Sequence, residues 1–248
     1  MKRAVIAASI CMRSKGVVLS VVVLLAAGVS SSFAQVVYSN DFEAGAGPEW
    51  SSDAIETSPD GRNFLGQYSG SEMVSLTLGG LPSPALLNVS FDLYVINTWD
   101  GHGDRWGPDE WEVRVHEGPV LLHTTFSNQD AGSKRQAYPD WYPGGDNTAQ
   151  TGAAEVTQFG YDTLYTEHMP VAGAVYQMSF TFAHDGESLE VDFEGFDLES
   201  NWWDYWLAWH RLKNESWGLD NVVVTVIPEP GTVLLLSLGG VWAIRRRG

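Results

Sequence analysis

Cysteine is all but missing from the 248 residues, and the single one, Cys11, lies near the N-terminus. That excludes a disulfide framework, a thiol nucleophile in the body of the chain and a cysteine-ligated zinc. Basic residues are scarce too: Lys and Arg number 14 against 31 Asp and Glu. Half of the basic residues crowd the two ends (Lys2, Arg3, Arg13, Lys15, and Arg245 to Arg247). Between residues 35 and 227 stand 7 basic and 30 acidic residues, a net charge of −23. Such a surface repels phosphate backbones and argues against nucleic acid as a partner. It attracts cations, though solubility alone explains acidity equally well. No apolar run reaches the ~20 residues of a full membrane span. There is no nucleophile elbow, phosphate loop or histidine-rich zinc motif, which weighs against an enzyme. No internal repeat or low-complexity linker is present.

What the chain does have is a globular composition, 44% hydrophobic and 18% charged, with distinctive ends. Basic residues run as far as Lys15, then 17–27 is apolar apart from Ser20. Ser32-Phe33-Ala34 follows, with small residues where a signal peptidase reads. Residues 1–34 therefore read as a secretory signal peptide, leaving Gln35 as the first mature residue. The alternative, an uncleaved N-terminal anchor, asks more length of this apolar run than it has.

At the other end Pro228-Glu229-Pro230 precedes 231–244, fourteen residues without charge, and then Arg245-Arg246-Arg247. The arginines would hold the cytoplasmic side of a short apolar helix. Box, apolar stretch and basic end, in this order over residues 228–248, resemble the PEP-CTERM sorting signal. The resemblance implies an exosortase-type membrane protease as partner, cleaving near Pro228, Glu229 and Pro230. It also implies a membrane-anchored precursor, a Gram-negative-type envelope, and a final place at the cell surface or in an extracellular polysaccharide matrix. An ordinary C-terminal anchor is the alternative.

Residues 35–227 are left for one acidic domain, long enough for a real core. Its pattern is β throughout. Apolar and polar residues alternate over 73–78, 87–95, 111–115, 176–183, 189–193 and 219–226. A period of two means one buried and one wet face, as in antiparallel sheets. Gly79-Gly80, Glu117-Gly118-Pro119 and Asp185-Gly186 mark turns. Some nine to eleven strands are expected, in an all-β, two-sheet antiparallel β-sandwich of jelly-roll type. Helical spacing occurs at Trp202, Trp206 and Trp209. With Trp203 and Tyr205 these make an aromatic cluster, either a contact surface or a lid over the sheet.

Asn40-Asp41-Phe42-Glu43 near the start of the domain and Ser216-Trp217-Gly218-Leu219-Asp220-Asn221 near its end resemble the frame of carbohydrate-binding and lectin-like jelly rolls. In such folds the first and last strands often lie side by side and their carboxylates share a structural calcium. The resemblance implies Asp41, Glu43 and Asp220 as calcium ligands. A strand-end cap at Asp41 and a turn at Asp220-Asn221 are the plainer alternative.

A second constellation is the loop from Trp99 through Asp100, His102, Asp104 and Trp106 to Asp109 and Glu110, shaped by three glycines and a proline. Its acids suit a cation but miss the EF-hand spacing. Trp99, Asp100, Asp104 and Trp106 also suit a sugar, with an indole face for the ring and carboxylates for its hydroxyls. Alternatively both indoles plug the sandwich edge. Glu190, Asp192 and Glu194 fall on one strand face and read as a solvated surface. The expectation is an exported, non-catalytic surface or matrix protein that binds carbohydrate and is stabilised by calcium. A glycan-active enzyme on a sandwich fold and a purely structural scaffold or adhesin are the competing classes.

Overall fold

The computed structural model of the chain describes residues 6–14, 17–25, 34–102, 107–128, 134–156, 173–199 and 215–227. It divides into two compact units, Met1–Phe33 and Ala34–Gly248. In the first unit β1 (Ile6–Ser14) and β2 (Val17–Leu25) form an antiparallel hairpin, with Ile6 opposite Leu25 and Ser14 opposite Val17.

In the second unit every described element is a strand. In order they are β3 (Gln35–Asn40), β4 (Ile55–Thr57), β5 (Asn63–Tyr68), β6 (Met73–Gly79), β7 (Ala85–Asn97), β8 (Glu110–Val115) and β9 (Val120–Thr125). Then come β10 (Arg135–Gln136), β11 (Asn147–Thr148), β12 (Glu155–Val156), β13 (Ala174–His184), β14 (Ser188–Phe196) and β15 (Glu215–Ile227). Four of these thirteen have only two or three residues, and the nine longer ones match the expected number. The apolar helix and basic end expected over 231–248, the Pro-Glu-Pro box, and the aromatic cluster at Trp202 to Trp209 lie outside the described residues.

Two antiparallel sheets make a β-sandwich. The larger runs β12-β13-β7-β15-β5-β4, with β3 also paired to β15. The smaller runs β6-β14-β8-β9. The last strand is the centre of the large sheet. One edge of β15 pairs with β7 along most of its length. Its other edge takes β5 at Trp217 to Leu219 and β3 at Val222 to Val226. The first and last strands of the domain thus lie side by side, Gln35 opposite Val226.

Alternation builds the core as the pattern requires. Along β7, Leu87, Val89, Phe91, Leu93 and Val95 are buried between the sheets. From the small sheet Val74, Leu76, Trp111, Val113, Val191 and Phe193 meet them in one cluster. Trp111 is its aromatic hub, its ring 6.0 Å from both Phe91 and Trp217 and 6.4 Å from both Phe126 and Phe193. On the opposite face of the large sheet Phe64, Tyr94, Ile96 and Val175 form a second buried cluster. Glycine is demanded where Gly66 and Gly218 pair across β5 and β15. A Cβ on Gly218 would overlap the Phe64 ring and sit 2.9 Å from the Leu65 carbonyl oxygen.

Candidate functional site

Three groups of polar side chains stand out against this frame. The first is the corner where β3 ends beside the middle of β15. Here β15 carries a bulge between Asp220 and Val223, with Asn221 at φ +50°. The bulge, rather than a turn, puts Asp220 and Asn221 out of step with β7. An open cleft of about 310 Å³ is lined by Ser39, Asn40, Asp41, Asn221, Val222 and Val223. Asp41 is exposed beside it, and its Oδ1 accepts the Glu43 N–H at 3.3 Å, a cap on the chain leaving β3. Glu43 reaches across instead, accepting the Asn63 backbone N–H at 3.1 Å and its Nδ2 at 2.9 Å. Asp220 is buried; its carboxylate accepts the Tyr94 hydroxyl at 2.7 Å and the Asn221 N–H at 2.7 Å. Burial pushes the Asp220 carboxyl above the usual range against those two donors, and the charges of Asp92 and Glu43 add to the push. Asp92 lies opposite Asp220 on β7 and accepts Asn221 Nδ2 at 2.8 Å. The fold therefore brings Asp220, Asp92 and Glu43 into one electrostatic neighbourhood, with Asp41 at its rim. Asp41, Glu43 and Asp220 do not converge as three donor atoms within 4.8 Å of one another. Asp92 is the member of this corner that spacing alone did not single out.

The second group grows from the loop after β7. Asp104 and Trp106 lie outside the described residues. Trp99 is wholly buried, its Nε1 donating to the Ser216 carbonyl at 2.9 Å and its ring packed edge-on to Phe126. A ring with no exposed face stacks on no sugar, so Trp99 fills the edge-plugging role instead. Asp100 is buried as well, bonded to Lys134 Nζ at 2.6 Å. Gly101, at φ +72°, lets the loop press against Arg135, where a Cβ would overlap the carbonyl oxygen. This approach lets Asp109 Oδ2 accept the N–H groups of Asp100 and Gly101. Glu215, at the start of β15, joins them from far along the chain. Its Oε2 accepts the Glu199 N–H at 2.6 Å, and its Oε1 is buried without a hydrogen-bond partner among the described residues. Burial pushes Asp109 up to about 8 and Glu215 up to about 9; the Asp109 charge adds to the rise of Glu215, and Asp100 and Glu199 add to both. Both carboxyls are buried, Asp109 1% and Glu215 0% exposed, and hold their protons near neutral pH as part of the core.

The third group covers the outer face of the small sheet. On β14 Glu190, Asp192, Glu194 and Phe196 share that face; Glu110, Glu112 and Arg114 on β8 lie opposite them, and His116 follows just past the end of β8, its N–H on the Glu190 carbonyl. Arg114 spreads over three acids, at 2.5 Å from Glu194, 3.1 Å from Glu112 and 3.7 Å from Asp192. Burial raises Glu194 against the pull of Arg114, with Glu112 and Asp192 adding to the rise. His123 on β9 sits between two carboxylates, Nε2 at 2.6 Å from Glu110 and Nδ1 at 2.9 Å from Glu112. The segment after β10 runs along the outer edge of β9, the Tyr142 N–H donating to the His123 carbonyl at 2.9 Å. The Tyr142 ring consequently stacks on His123 at 6.3 Å and an interplanar angle of 26°. Phe196 flanks the same imidazole at 5.8 Å. A row of three rings, Phe196, His123 and Tyr142, thus borders a lattice of carboxylates, with Trp141 exposed next to it. Such a face offers the flat rings of Phe196 and Tyr142 on either side of a carboxylate-bound imidazole, together with oriented hydrogen-bond acceptors and the Arg114 donors. Period-two reading placed Glu190, Asp192 and Glu194 on one face. It did not foresee that Asp192 would be only 3% exposed under its neighbours.

No family model matches the chain, and no curated protein does. Several solved structures are similar at a distance, among them the following three. One is dimeric latent PorU from Porphyromonas gingivalis, at 10% identity and a TM-score of 0.35, covering 66% of this chain and 10% of that one. A second is the K3 cleaved adhesin domain of Lys-gingipain from the same organism, at 13% identity and a TM-score of 0.35, covering 78% and 99%. The third is the C-terminal CBM6 of the laminarinase LamC from Zobellia galactanivorans, at 9% identity and a TM-score of 0.28, covering 79% and 99%. This chain spans about a tenth of the length of the PorU structure. Likenesses of this size bear on none of the side chains described above.

Proposed function

We propose that this chain is an exported, exosortase-sorted surface or matrix protein whose jelly-roll-like sandwich binds carbohydrate and performs no catalysis. The observation that carries the reading is the outer face of the small sheet. Phe196, His123 and Tyr142 line up beside Glu110, Glu112, Glu194 and Arg114. A sugar ring presents an apolar face to stack on and hydroxyls to bond, and both needs are met here. What favours binding over hydrolysis is that these carboxylates lie on a sheet face and are tied to Arg114 and His123. Hydrolysis wants two acids across a cleft with room for a water or a nucleophile. The signal-like ends and the acidity support the placement outside the cell.

The test is affinity electrophoresis of the full chain through gels holding neutral or acidic polysaccharides. Retardation by at least one polysaccharide is expected, with at least tenfold weaker retention for Tyr142→Ala. That variant keeps the backbone bond to His123, so its fold stays intact. Equal mobility in every gel would sink carbohydrate binding and leave the scaffold reading.

Calcium at the β3–β15 corner is part of the same proposal. Three acids around a buried Asp220 call for a hard cation with oxygen ligands. Saturating calcium should raise the melting temperature by several degrees over a chelator. Asp220→Asn, which keeps an acceptor for the Tyr94 hydroxyl, should abolish that rise. No calcium shift in the parent protein would remove the site.

A further inference from the structure

The geometry points to a transition-metal site on the outer face of the small sheet, formed by His116, Glu190 and Asp192 and suited to Zn²⁺ or Co²⁺. Each of these residues offers one donor atom, and the three donors lie within 4.8 Å of one another. Ligands at about 2.0–2.2 Å from a tetrahedral zinc stand roughly 3.3–3.6 Å apart. Small side-chain rotations close the remaining gap.

The backbone holds the three in place without help from loops. The His116 N–H donates to the Glu190 carbonyl at 2.9 Å, so these two residues face each other where β8 ends beside β14. Asp192 is two residues along β14 and points to the same side. It is also the best fixed of the three. Ser75 on β6 donates its hydroxyl to Oδ1 at 2.7 Å, which turns Oδ2 towards His116 Nδ1 at 2.9 Å. A hydrogen-bonded carboxylate beside an imidazole is the support that orients metal ligands elsewhere.

The donor set selects the metal class. One imidazole nitrogen and two carboxylate oxygens are too few and too mixed for calcium, which takes six to eight oxygens. Three ligands with one imidazole leave a fourth position open, as zinc sites with three protein ligands do, and the imidazole favours a transition metal. Arg114 is the positive group nearby, 3.7 Å from Asp192 Oδ2. Its two terminal nitrogens are drawn the other way, to Glu194 at 2.5 Å and Glu112 at 3.1 Å. The open fourth position faces solvent at His116, whose side chain is 47% exposed. This site is separate from the ring row at Tyr142, and its test does not depend on any sugar being bound.

The measurement is a Co²⁺ titration of the chelator-treated full chain at pH 8, read by visible absorption, with Zn²⁺ competition by calorimetry. One Co²⁺ per chain is expected, giving ligand-field bands that one equivalent of Zn²⁺ removes. His116→Ala and Asp192→Asn should each weaken Zn²⁺ binding at least tenfold. Ser75→Ala, which leaves every ligand in place, should weaken it about tenfold through lost orientation. His116 is a surface residue, so its variant should melt like the parent protein. Absence of Co²⁺ bands, or Zn²⁺ affinity unchanged in His116→Ala, would overturn the assignment. The second result would place the zinc on other histidines.

Discussion

Trp111→Ala should cost the domain about 3–5 kcal/mol, the usual toll of removing a large aromatic from a packed core. For a domain of this size that lowers the melting temperature by roughly 10 °C. The physical case is that Trp111 belongs to the small sheet yet touches the large one. Its ring meets Phe91 of β7 and Trp217 of β15, as well as Phe193 from its own sheet. Alanine would leave a void that neighbours on two rigid sheets cannot close. Nothing polar is lost with it, because the Trp111 indole N–H has no hydrogen-bond partner among the described residues. Trp111→Phe, which keeps a ring and drops that buried donor, should therefore lose much less. Chemical denaturation of the three proteins measures both differences. An alanine variant within about 1 kcal/mol of the parent would mean that the sheets do not pack through this ring.

Glu215→Gln should do the opposite and stabilise the protein at alkaline pH, by on the order of 3 kcal/mol at pH 8. Glu215 is fully buried, and its carboxyl is pushed up to about 9 by burial, with the charges of Asp109, Glu199 and Asp100 adding. The folded state thus holds the proton more tightly than the unfolded chain does. For such a group the stabilising proton is fully present below the unfolded pKa. It is lost as pH climbs towards the folded value, at up to about 1.4 kcal/mol per pH unit. The window runs from roughly pH 4.5 to about pH 9. Glutamine imitates the protonated acid and keeps an acceptor for the Glu199 N–H. The gain falls short of the full slope because Asp109, pushed up to about 8, shares the burden. Melts of parent and variant at several pH values should diverge progressively as pH rises from about 4.5 towards about 9. A variant less stable than the parent at pH 8 would show that Glu215 is held ionised.

The alternating runs made most of the sandwich legible in advance. Over β7, β8, β13 and β14 one sheet face is wet, so polarity reports which residues point inward. Strands β4, β10, β11 and β12 were not legible, since two or three residues carry no period. Trp99 was misleading for a related reason. The last five residues of β7 are all buried, so alternation stops there. An indole beside acids then looks like a binding loop when it is the end of the core. The acids of the 100–109 loop were visible as a group, but Glu215 was not, because it arrives from another strand. On the small sheet the pattern showed which carboxylates share a face. It was silent on β8 lying beside them, and so on Arg114, His116 and the shelter they give Asp192.

The place of β15 has a consequence for the time order of folding. It is the last of the described strands and also the one bonded to β3, β5 and β7. Until it arrives β7 lacks a partner on one side, β5 has only the three residues of β4, and β3 has none among the described strands. Loop closure between such distant segments is slow and its entropy must be met before the contacts form. A polypeptide emerging N-terminus first would hold its large sheet open until β15 is free, and would close it only then.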